Sequence, residues 1–431
     1  MGFPEELVLN GSDTFLVGLD AIYRKKSKQS NCCTLAVELS DALTQADLAS
    51  TLESSAFFQW ARSLRLRGHG PFRLMTWKSI RTPAKCTISL TQADSIFAID
   101  RRAIPSHLDP SKQCPISFTL VELPHAHALL FTWHHGLMDA HGAETFLRTL
   151  DAPITDDPLV GTNAKGLSKD WKDHLTIREF LSEVSALPFC SPVQKDRVHG
   201  KTQYTVVRLS EEETRLSDAR AVQAGAGANP SLFCLAICGQ FIRDLLARKD
   251  MPSGDMLVPV PLDLRRRGSP YPVISNQLSF LFYRLKAQHA ESVDATAKDL
   301  AGQLMNMLRM QFPKRYAGMM EMLRWVPRSI YPHVIASTTK GHIASFIYSD
   351  TGTSLDQLDT VLGRTVTHAV HYPPNLHPPG VTFVFSKIHG ALQVTIGYRE
   401  DYFSTEELKQ ATDEMRKRLT TPGQPADCKH A

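Results

Sequence analysis

Residues 133–142 have the sequence Trp133-His134-His135-Gly136-Leu137-Met138-Asp139-Ala140-His141-Gly142, so three histidines and one carboxylate lie within ten positions. They overlap the end of ALLFTWHH (residues 128–135), a run that is apolar on both faces, as in a strand inside a covered sheet. Polar groups at the end of a buried strand cost several kcal/mol unless they are satisfied. A strand end that opens into a loop is also where a rigid scaffold presents reactive groups. The stretch therefore predicts a functional turn between a buried strand and a helix.

The imidazole of His135 is the candidate reactive group of this turn. An unperturbed pKa of about 6.5 lets a histidine take a proton and return it near neutral pH. Asp139 follows four residues later and can fold back across a tight turn to fix the loop and the ring. We therefore expect Asp139 to be structural support rather than a second base.

Two other interpretations of these residues stay open. In the first, the histidine pair only satisfies backbone groups at a strand end. In the second, His134, His135, Asp139 and His141 bind a metal, since all four are possible ligands. Adjacent strand residues point to opposite faces, however, which keeps His134 and His135 from converging on one ion. We therefore expect no metal.

The composition is that of an ordinary globular protein with a large core. A chain of 431 residues exceeds the usual size of one domain, and 42% of its residues are hydrophobic against 21% charged. The formal net charge of +4 is spread thinly, and no long basic block with interleaved aromatics predicts nucleic-acid binding. These features predict two lobes of roughly 200 residues each and no nucleic-acid partner.

The sequence also gives expectations about compartment. Its eight cysteines include no C-x-x-C pair and form no dense disulfide framework, which favours a reducing compartment. The N-terminal residues lack the basic flank and apolar run of a secretion signal, and no stretch approaches 18 apolar residues. We expect a soluble or at most peripheral cytoplasmic protein without a transmembrane segment.

Strand and helix patterns alternate in both halves of the chain. In residues 1–165 we predict a strand at Asn31 to Leu39, a helix capped by Thr44, a hairpin of Ile116 to Leu123 with Ala128 to His135, and a helix at Ala143 to Leu150. The helix capped by Thr44 would bury one apolar stripe, formed by Leu48, Leu52, Ala56, Trp60 and Leu64. Residues 166–200, rich in Pro, Asp, Gly and Lys, are the predicted crossover.

Residues 201–431 form the second predicted lobe. Ser210 with Glu213 and Ser404 with Glu407 predict capping boxes, and three strands should close the chain at His342 to Ser349, Val381 to Ile388 and Ala391 to Tyr398. The fold class is therefore α/β (α+β), with two lobes that share an interface.

At this point the motif carries a resemblance. His134-His135-x-x-x-Asp139 matches the HHxxxD signature of the coenzyme A-dependent acyltransferase and condensation-domain superfamily, which includes chloramphenicol acetyltransferase, nonribosomal peptide condensation domains and wax ester synthases. LVPVPLDLRRR (residues 257–267) and the Asn276 segment resemble the strand with a Leu-Arg end and the Asn-containing strand of that family. The end of the chain is similar to that of condensation-like proteins, so the resemblance covers essentially the full length.

The resemblance implies a role for each motif residue. His135 would deprotonate the acceptor, Asp139 would form a structural salt bridge with Arg265, and His134 would pack beside the base and fix its tautomer. Two features depart from the family pattern: Ala140 follows the aspartate where many members have glycine, with Gly142 as the glycine in support of the loop, and the DFGWG motif of the plant-type branch is absent. Ser349 is a candidate oxyanion donor.

The resemblance also implies a fold and a reaction. Two chloramphenicol acetyltransferase-like lobes, each a mixed sheet with helices, would enclose an active-site channel, and an acyl group would pass from acyl-CoA or an acyl carrier protein to a hydroxyl or amine. The thioester is a co-substrate, no cofactor is tightly bound, the acceptor is a small molecule, and we expect a monomer. The alternative is a catalytically inactive condensation-like module that binds a carrier protein or another partner.

Overall fold

The structure is a computed structural model that describes residues 3–27, 29–68, 73–83, 88–105, 107–151, 171–186, 188–192, 201–265, 273–327, 330–331, 333–334 and 344–422. The predicted strand at 342–349 starts outside the described residues. Parts of the predicted crossover at 166–200 also lie outside them. A helix at Trp171–Val184 lies within that crossover.

The first lobe is built on a six-stranded mixed sheet. Its strands, in spatial order, are β12 (Thr360–Val361), β13 (Arg364–Tyr372), β2 (Cys32–Leu39), β7 (His127–His134), β6 (Ile116–Glu122) and β5 (Ile88–Gln92). Only the β5–β6 pair is parallel among these strands. A small sheet of β1 (Glu6–Val8), β4 (Thr76–Ser79) and β3 (Leu64–Arg67) lies in the same lobe.

The second lobe contains a four-stranded sheet and a two-stranded ribbon. The sheet has the order β11 (Ile347–Asp350), β14 (Val381–Ile388), β15 (Ala391–Arg399) and β8 (Thr202–Arg208). The ribbon pairs β9 (Met256–Asp263) with β10 (Leu278–Leu285) in antiparallel register.

Helices cover these sheets. Their bounds are α1 (Gly11–Ser27), α2 (Gln45–Ser54), α3 (Ala56–Ser63), α4 (Ala140–Arg148), α5 (Trp171–Val184), α6 (Glu211–Gln223), α7 (Pro230–Arg248), α8 (Val293–Arg309), α9 (Phe312–Leu323) and α10 (Thr405–Thr420). By length and composition, α7 is the one described helix that is long and apolar enough to cross a membrane, and most of it is buried inside the molecule, as in a core helix.

Two segments cross between the lobes. β13 pairs with β2 in the first sheet, although its residues lie within the range 201–431 that the sequence assigned to the second lobe. Conversely, α1 near the N-terminus packs against α9 and supplies Phe15, Leu16 and Leu19 to the second core. A division of the chain at one boundary therefore does not describe the lobes, because each core is completed by a segment distant in sequence.

Several predicted local elements are confirmed. β6 and β7 form the predicted antiparallel hairpin, and the residues of the second closing strand match β14 at both ends. The capping boxes predicted at Ser210 and Ser404 are present, and the predicted N-cap Thr44 forms a capping box as well. These elements depend on contacts between residues close in sequence, which a pattern can show.

Two predicted helix boundaries are wrong. The helix after Thr44 breaks at Ser55, whose hydroxyl accepts a hydrogen bond from the Phe58 amide and starts α3, so Ala56 is exposed instead of joining the buried stripe. The helix expected from Ala143 begins at Ala140, because Asp139 is its N-cap and accepts a hydrogen bond from the Gly142 amide at 2.9 Å. The turn after β7 is therefore only five residues long, 135–139.

Candidate active site

His135 lies directly after β7, where the first-lobe sheet meets a cavity of about 550 Å³. The cavity is lined mainly by aliphatic and aromatic side chains of both lobes. It includes Phe15 of α1, Phe280 of β10, Met320 of α9 and Val384 of β14, so the imidazole faces a space between the lobes. A buried ring with no cavity leading to it would have contradicted a catalytic role for His135.

Burial shapes the chemistry of His135. Desolvation lowers its pKa, because the charged imidazolium loses water, while the backbone of His135 and the charge of Asp139 oppose the shift. The backbone of Met138 also opposes the shift. A neutral imidazole at a cavity wall can accept a proton from a bound ligand.

His134 is held on the opposite side of the strand. Its side chain is fully buried, its Nδ1 accepts a hydrogen bond from the Gly136 amide at 3.1 Å, and its Nε2 lies 3.4 Å from Asp20 Oδ1 of α1. Since Nδ1 accepts, the proton of the neutral ring is on Nε2 and points towards the carboxylate. His134 and His135 therefore do not converge, and His134 ties the turn to α1.

Asp139 forms the ion pair that the resemblance implied. Its Oδ2 lies 2.7 Å from Nη1 of Arg265, whose side chain is only 2% exposed, and its Oδ1 caps α4. Burial opposes ionisation of Asp139, but the charges of Arg265 and His141 hold its pKa below the usual value. The carboxylate is thus fully occupied, which suits a residue that fixes the turn.

The ion pair belongs to a larger charged network, which we call the α4 network: Asp139, Arg265, Asp263, His141 and Glu144. His141 Nδ1 lies 3.4 Å from Glu144 Oε2, and His141 Nε2 lies 4.0 Å from Asp263 Oδ2. Burial works against the charge of His141, but the hydrogen bond and charge of Glu144 raise its pKa to about 9. Charges of alternating sign therefore run from α4 to the end of β9 and hold the two lobes together.

A second network, the α1 network, lies beneath the turn: Asn10, Asp13, Ser275 and Asn276. Asp13 Oδ1 accepts hydrogen bonds from the amide and the side chain of Asn276, both at 2.8 Å, and the same Asn276 side chain donates to the His135 carbonyl at 2.9 Å. Asn10 and Asp13 also bond reciprocally as a capping box for α1. The start of α1 thereby positions the backbone of His135.

Gly142 allows α4 to lie against the segment that carries Ser275. A Cβ atom at position 142 would lie 2.5 Å from the Val273 carbonyl oxygen, and backbone cannot move aside as a side chain can. This close approach gives the glycine a structural role, as expected of a supporting residue.

A search of solved structures finds the fold of this chain. The first condensation domain of the CDA synthetase superposes with a TM-score of 0.64 at 12% identity and covers 98% of both chains. A trichothecene 15-O-acetyltransferase from Fusarium sporotrichioides gives a TM-score of 0.66 at 12% identity, with 96% of each chain covered. The chain has the condensation-domain fold of two chloramphenicol acetyltransferase-like lobes.

A further neighbour of this fold was solved as a mutant with two bound small molecules. The starter condensation domain of rhizomide synthetase, in complex with C8-CoA and Leu-SNAC, has a TM-score of 0.62 at 12% identity and covers 98% of this chain and 96% of its own. No protein-family model matches the sequence, and no curated protein matches it significantly. At this identity the likeness establishes the condensation-domain fold.

Three residues of the candidate site were not predicted from the sequence: Asp13, Glu144 and His371. Glu144 accepts a hydrogen bond from Nε2 of His371 at 2.9 Å, and His371 lines the same cavity as His135. The N-x-x-D pattern of residues 10–13 could have indicated a capped helix start, and RTVTHAVHY (364–372) alternates like a strand. Neither pattern shows which distant segment the residue meets.

The described residues contain no group of three or more His, Cys, Asp or Glu side chains arranged to bind a metal. His134 and His141 are each engaged by carboxylates, at 3.4 Å from Asp20 and from Glu144. His135 faces the cavity, and neither Asp20 nor Glu144 engages its ring. Ser349, the candidate oxyanion donor, also lines the cavity.

Proposed function

We propose that this protein is an acyltransferase that moves an acyl group from a thioester, acyl-CoA or an acyl carrier protein, to a hydroxyl or amine acceptor. His135 is the general base. The observation that carries the proposal is the position of its ring at a cavity between two lobes, with burial favouring the neutral form. The condensation-domain fold supports it, because solved proteins of that fold include an O-acetyltransferase.

The proposed reaction needs no covalent enzyme intermediate. The acceptor oxygen or nitrogen attacks the thioester carbonyl while His135 takes its proton. Hydrogen-bond donors at the cavity, with Ser349 as candidate, stabilise the negative oxygen of the tetrahedral intermediate. The carbon–sulfur bond then breaks, and the imidazolium returns its proton to the thiolate, so the base is regenerated.

Asp139 has a positioning role in this scheme. Both of its carboxylate oxygens are engaged, one by Arg265 and one by the Gly142 amide, so neither is placed to take a proton from an acceptor. Holding the N-terminus of α4 fixes the turn that carries His135. Asp139 therefore contributes to the reaction by positioning His135.

Release of free thiol from a panel of acyl-CoA donors, with and without acceptor alcohols and amines, tests the proposal. His135→Ala should lower kcat roughly 100- to 10,000-fold while the protein stays folded, since that is the usual share of a positioned acid–base group. Full activity in the variant would refute the base assignment. Silence of the wild-type protein across donors and acceptors would favour the carrier-binding module instead.

The pH profile of kcat/KM gives an independent check on the base. Desolvation lowers the pKa of His135, so the neutral ring should persist below pH 6.5 and the acid limb of the profile should lie below that value. An acid limb above pH 6.5 would indicate that another group takes the proton.

A further inference from the structure

Two further histidines line the cavity, His174 and His371, and the proposed reaction uses neither of them. His371 of β13 lines the cavity and is 5% exposed. Its Nε2 lies 2.9 Å from Oε1 of Glu144, and that oxygen also accepts a hydrogen bond from the Ser354 hydroxyl at 2.9 Å. Glu144 is itself 5% exposed, so the two residues form a buried, hydrogen-bonded polar pair in a mainly apolar wall.

The carboxylate decides which nitrogen of His371 is left for a ligand. Burial opposes its ionisation, but hydrogen bonds from His141 and His371 lower the pKa of Glu144 to about 2. An ionised carboxylate only accepts hydrogen bonds, so Nε2 of His371 carries a proton and donates it. With Nε2 occupied by Glu144, Nδ1 is the ring nitrogen left for a ligand, and it accepts a hydrogen bond in the tautomer that carries its proton on Nε2.

The sheet register places this site well away from the reacting atoms. His371 lies opposite Leu35, which lies opposite Phe131, and His135 follows four residues later on the same face of the sheet. Strand spacing and rise then put the two backbones roughly 10 Å apart across the sheet and roughly 13 Å along it. A ligand that contacts both histidines is an extended molecule with a polar group at each end.

We propose that His371, held by Glu144, binds a second hydroxyl or amine of the acceptor, remote from the group that His135 deprotonates. The inference rests on the proposed function and names its substrate class: diols, amino alcohols or diamines. An unsubstituted acyl chain has no hydrogen-bond donor to offer. Arg178, an exposed guanidinium on the α5 wall of the same cavity, suits the phosphates of a CoA or carrier arm and places the donor at that side.

Binding of two probes tests the proposal without requiring turnover. By calorimetry, wild-type protein should bind 1,8-octanediol roughly 3- to 10-fold more tightly than 8-methoxyoctan-1-ol, the fold-change of one neutral hydrogen bond, since the ether lacks the second donor. His371→Gln should abolish this preference, because its amide still donates to Glu144 but offers no acceptor at the Nδ1 position. His368→Gln is the matched control, a histidine of the same strand that contacts Phe97 and Arg208 outside the cavity, and should keep the preference.

The outcomes separate this inference from the proposed function. Equal binding of both probes to wild-type protein, or no binding of the diol, would overturn the inference even if His371→Gln fails to fold. Weaker binding of pantetheine in His371→Gln, with the diol preference kept, would overturn the assignment to the acceptor. Acyl transfer is measured separately as thiol release, so a wild-type protein that prefers the diol but transfers no acyl group would refute only the function.

Discussion

The turn at residues 135–139 is supported by two polar networks that differ in charge. The α4 network joins its members by charges of alternating sign, with Asp139 and Arg265 2.7 Å apart. The α1 network is neutral except for Asp13, whose carboxyl accepts N–H groups and faces no positive side chain within that network. The difference shows two ways to fix a buried loop: paired charges connect the lobes strongly, while amide groups set the position of a single backbone carbonyl.

The largest expected effect is on the charged side. Asp139→Ala leaves the buried guanidinium of Arg265 with only the longer ion pair to Asp263 and should lower the free energy of unfolding by up to about 3–5 kcal/mol, together with activity. Urea denaturation measures this loss. The double variant Asp139→Leu with Arg265→Met removes both charges and should recover much of the stability but none of the activity. A double variant as unstable as the single one would contradict the importance of the Asp139–Arg265 charge pair.

A smaller effect is expected from the neutral side. Asn276→Ala removes two hydrogen bonds, to Asp13 and to the His135 carbonyl, and should cost about 2–3 kcal/mol of unfolding free energy and lower kcat. Ser12→Ala, beside Asp13 in the first turn of α1, loses one bond to the Leu278 carbonyl and should cost about 1 kcal/mol with kcat unchanged. Equal effects of the two variants on kcat would mean that Asn276 does not position the turn.

The close approach of α4 to the Val273 carbonyl can be tested by adding a methyl group at Gly142. Gly142→Ala places a Cβ against the Val273 carbonyl and should lower the free energy of unfolding by about 1–3 kcal/mol. Gly302→Ala in α8 is the matched control, since nothing lies within 4 Å of its added Cβ, and should stabilise by up to about 1 kcal/mol. Thermal and urea unfolding of both variants measure the difference. Stabilisation by Gly142→Ala would show that α4 can move away.

Asp13 of the α1 network and Glu144 of the α4 network should respond to pH in opposite directions, with slopes of at most about 1.4 kcal/mol per pH unit for each group. Burial raises the pKa of Asp13 from 3.8 to about 7, against its hydrogen bonds from Asn276. Its contribution to stability is therefore complete below pH 3.8 and is lost as the pH rises through 7. The pKa of Glu144 is lowered from 4.5 to about 2, against burial, by its histidine partners, so its contribution is present above pH 4.5 and is lost as the pH falls through 2.

Unfolding free energies across pH, compared between variants, check these signs. Asp13→Asn should flatten the decline between pH 4 and 7, and Glu144→Gln should flatten the decline below pH 4.5. A wild-type protein whose stability rises from pH 4 to 7 by more than that of Asp13→Asn would contradict the role given to Asp13.

Local patterns predicted much of the fold around His135. The apolar run of β7 and the hairpin with β6 follow from residues close in sequence, and so do the capping boxes of α2, α6 and α10. The start of α4 was placed three residues late because Asp139 was interpreted as support for the loop and not also as a helix cap. A residue with two roles can be assigned from a pattern to only one of them.

The partners of the site were harder to predict. The Asp139–Arg265 pair came from the resemblance, since 126 positions separate the two residues and no spacing rule connects them. Asp13 and His371 were missed because their contacts are with Asn276 and Glu144, which lie 263 and 227 positions away. β13 was not predicted as part of the first sheet, because strand alternation does not state which strand is the neighbour.

By itself the sequence determined the α/β class, the buried strand that ends in two histidines and the opposite directions of their rings, because these depend on the period of a strand and on burial. Only the tertiary structure decided that α1 and β13 cross between lobes and that Asp13 and His371 reach the site. It also decided that His135 faces a cavity. The physical reason is that a cavity and a buried polar network are completed by side chains from distant segments, whose meeting is decided by the packing of the whole chain.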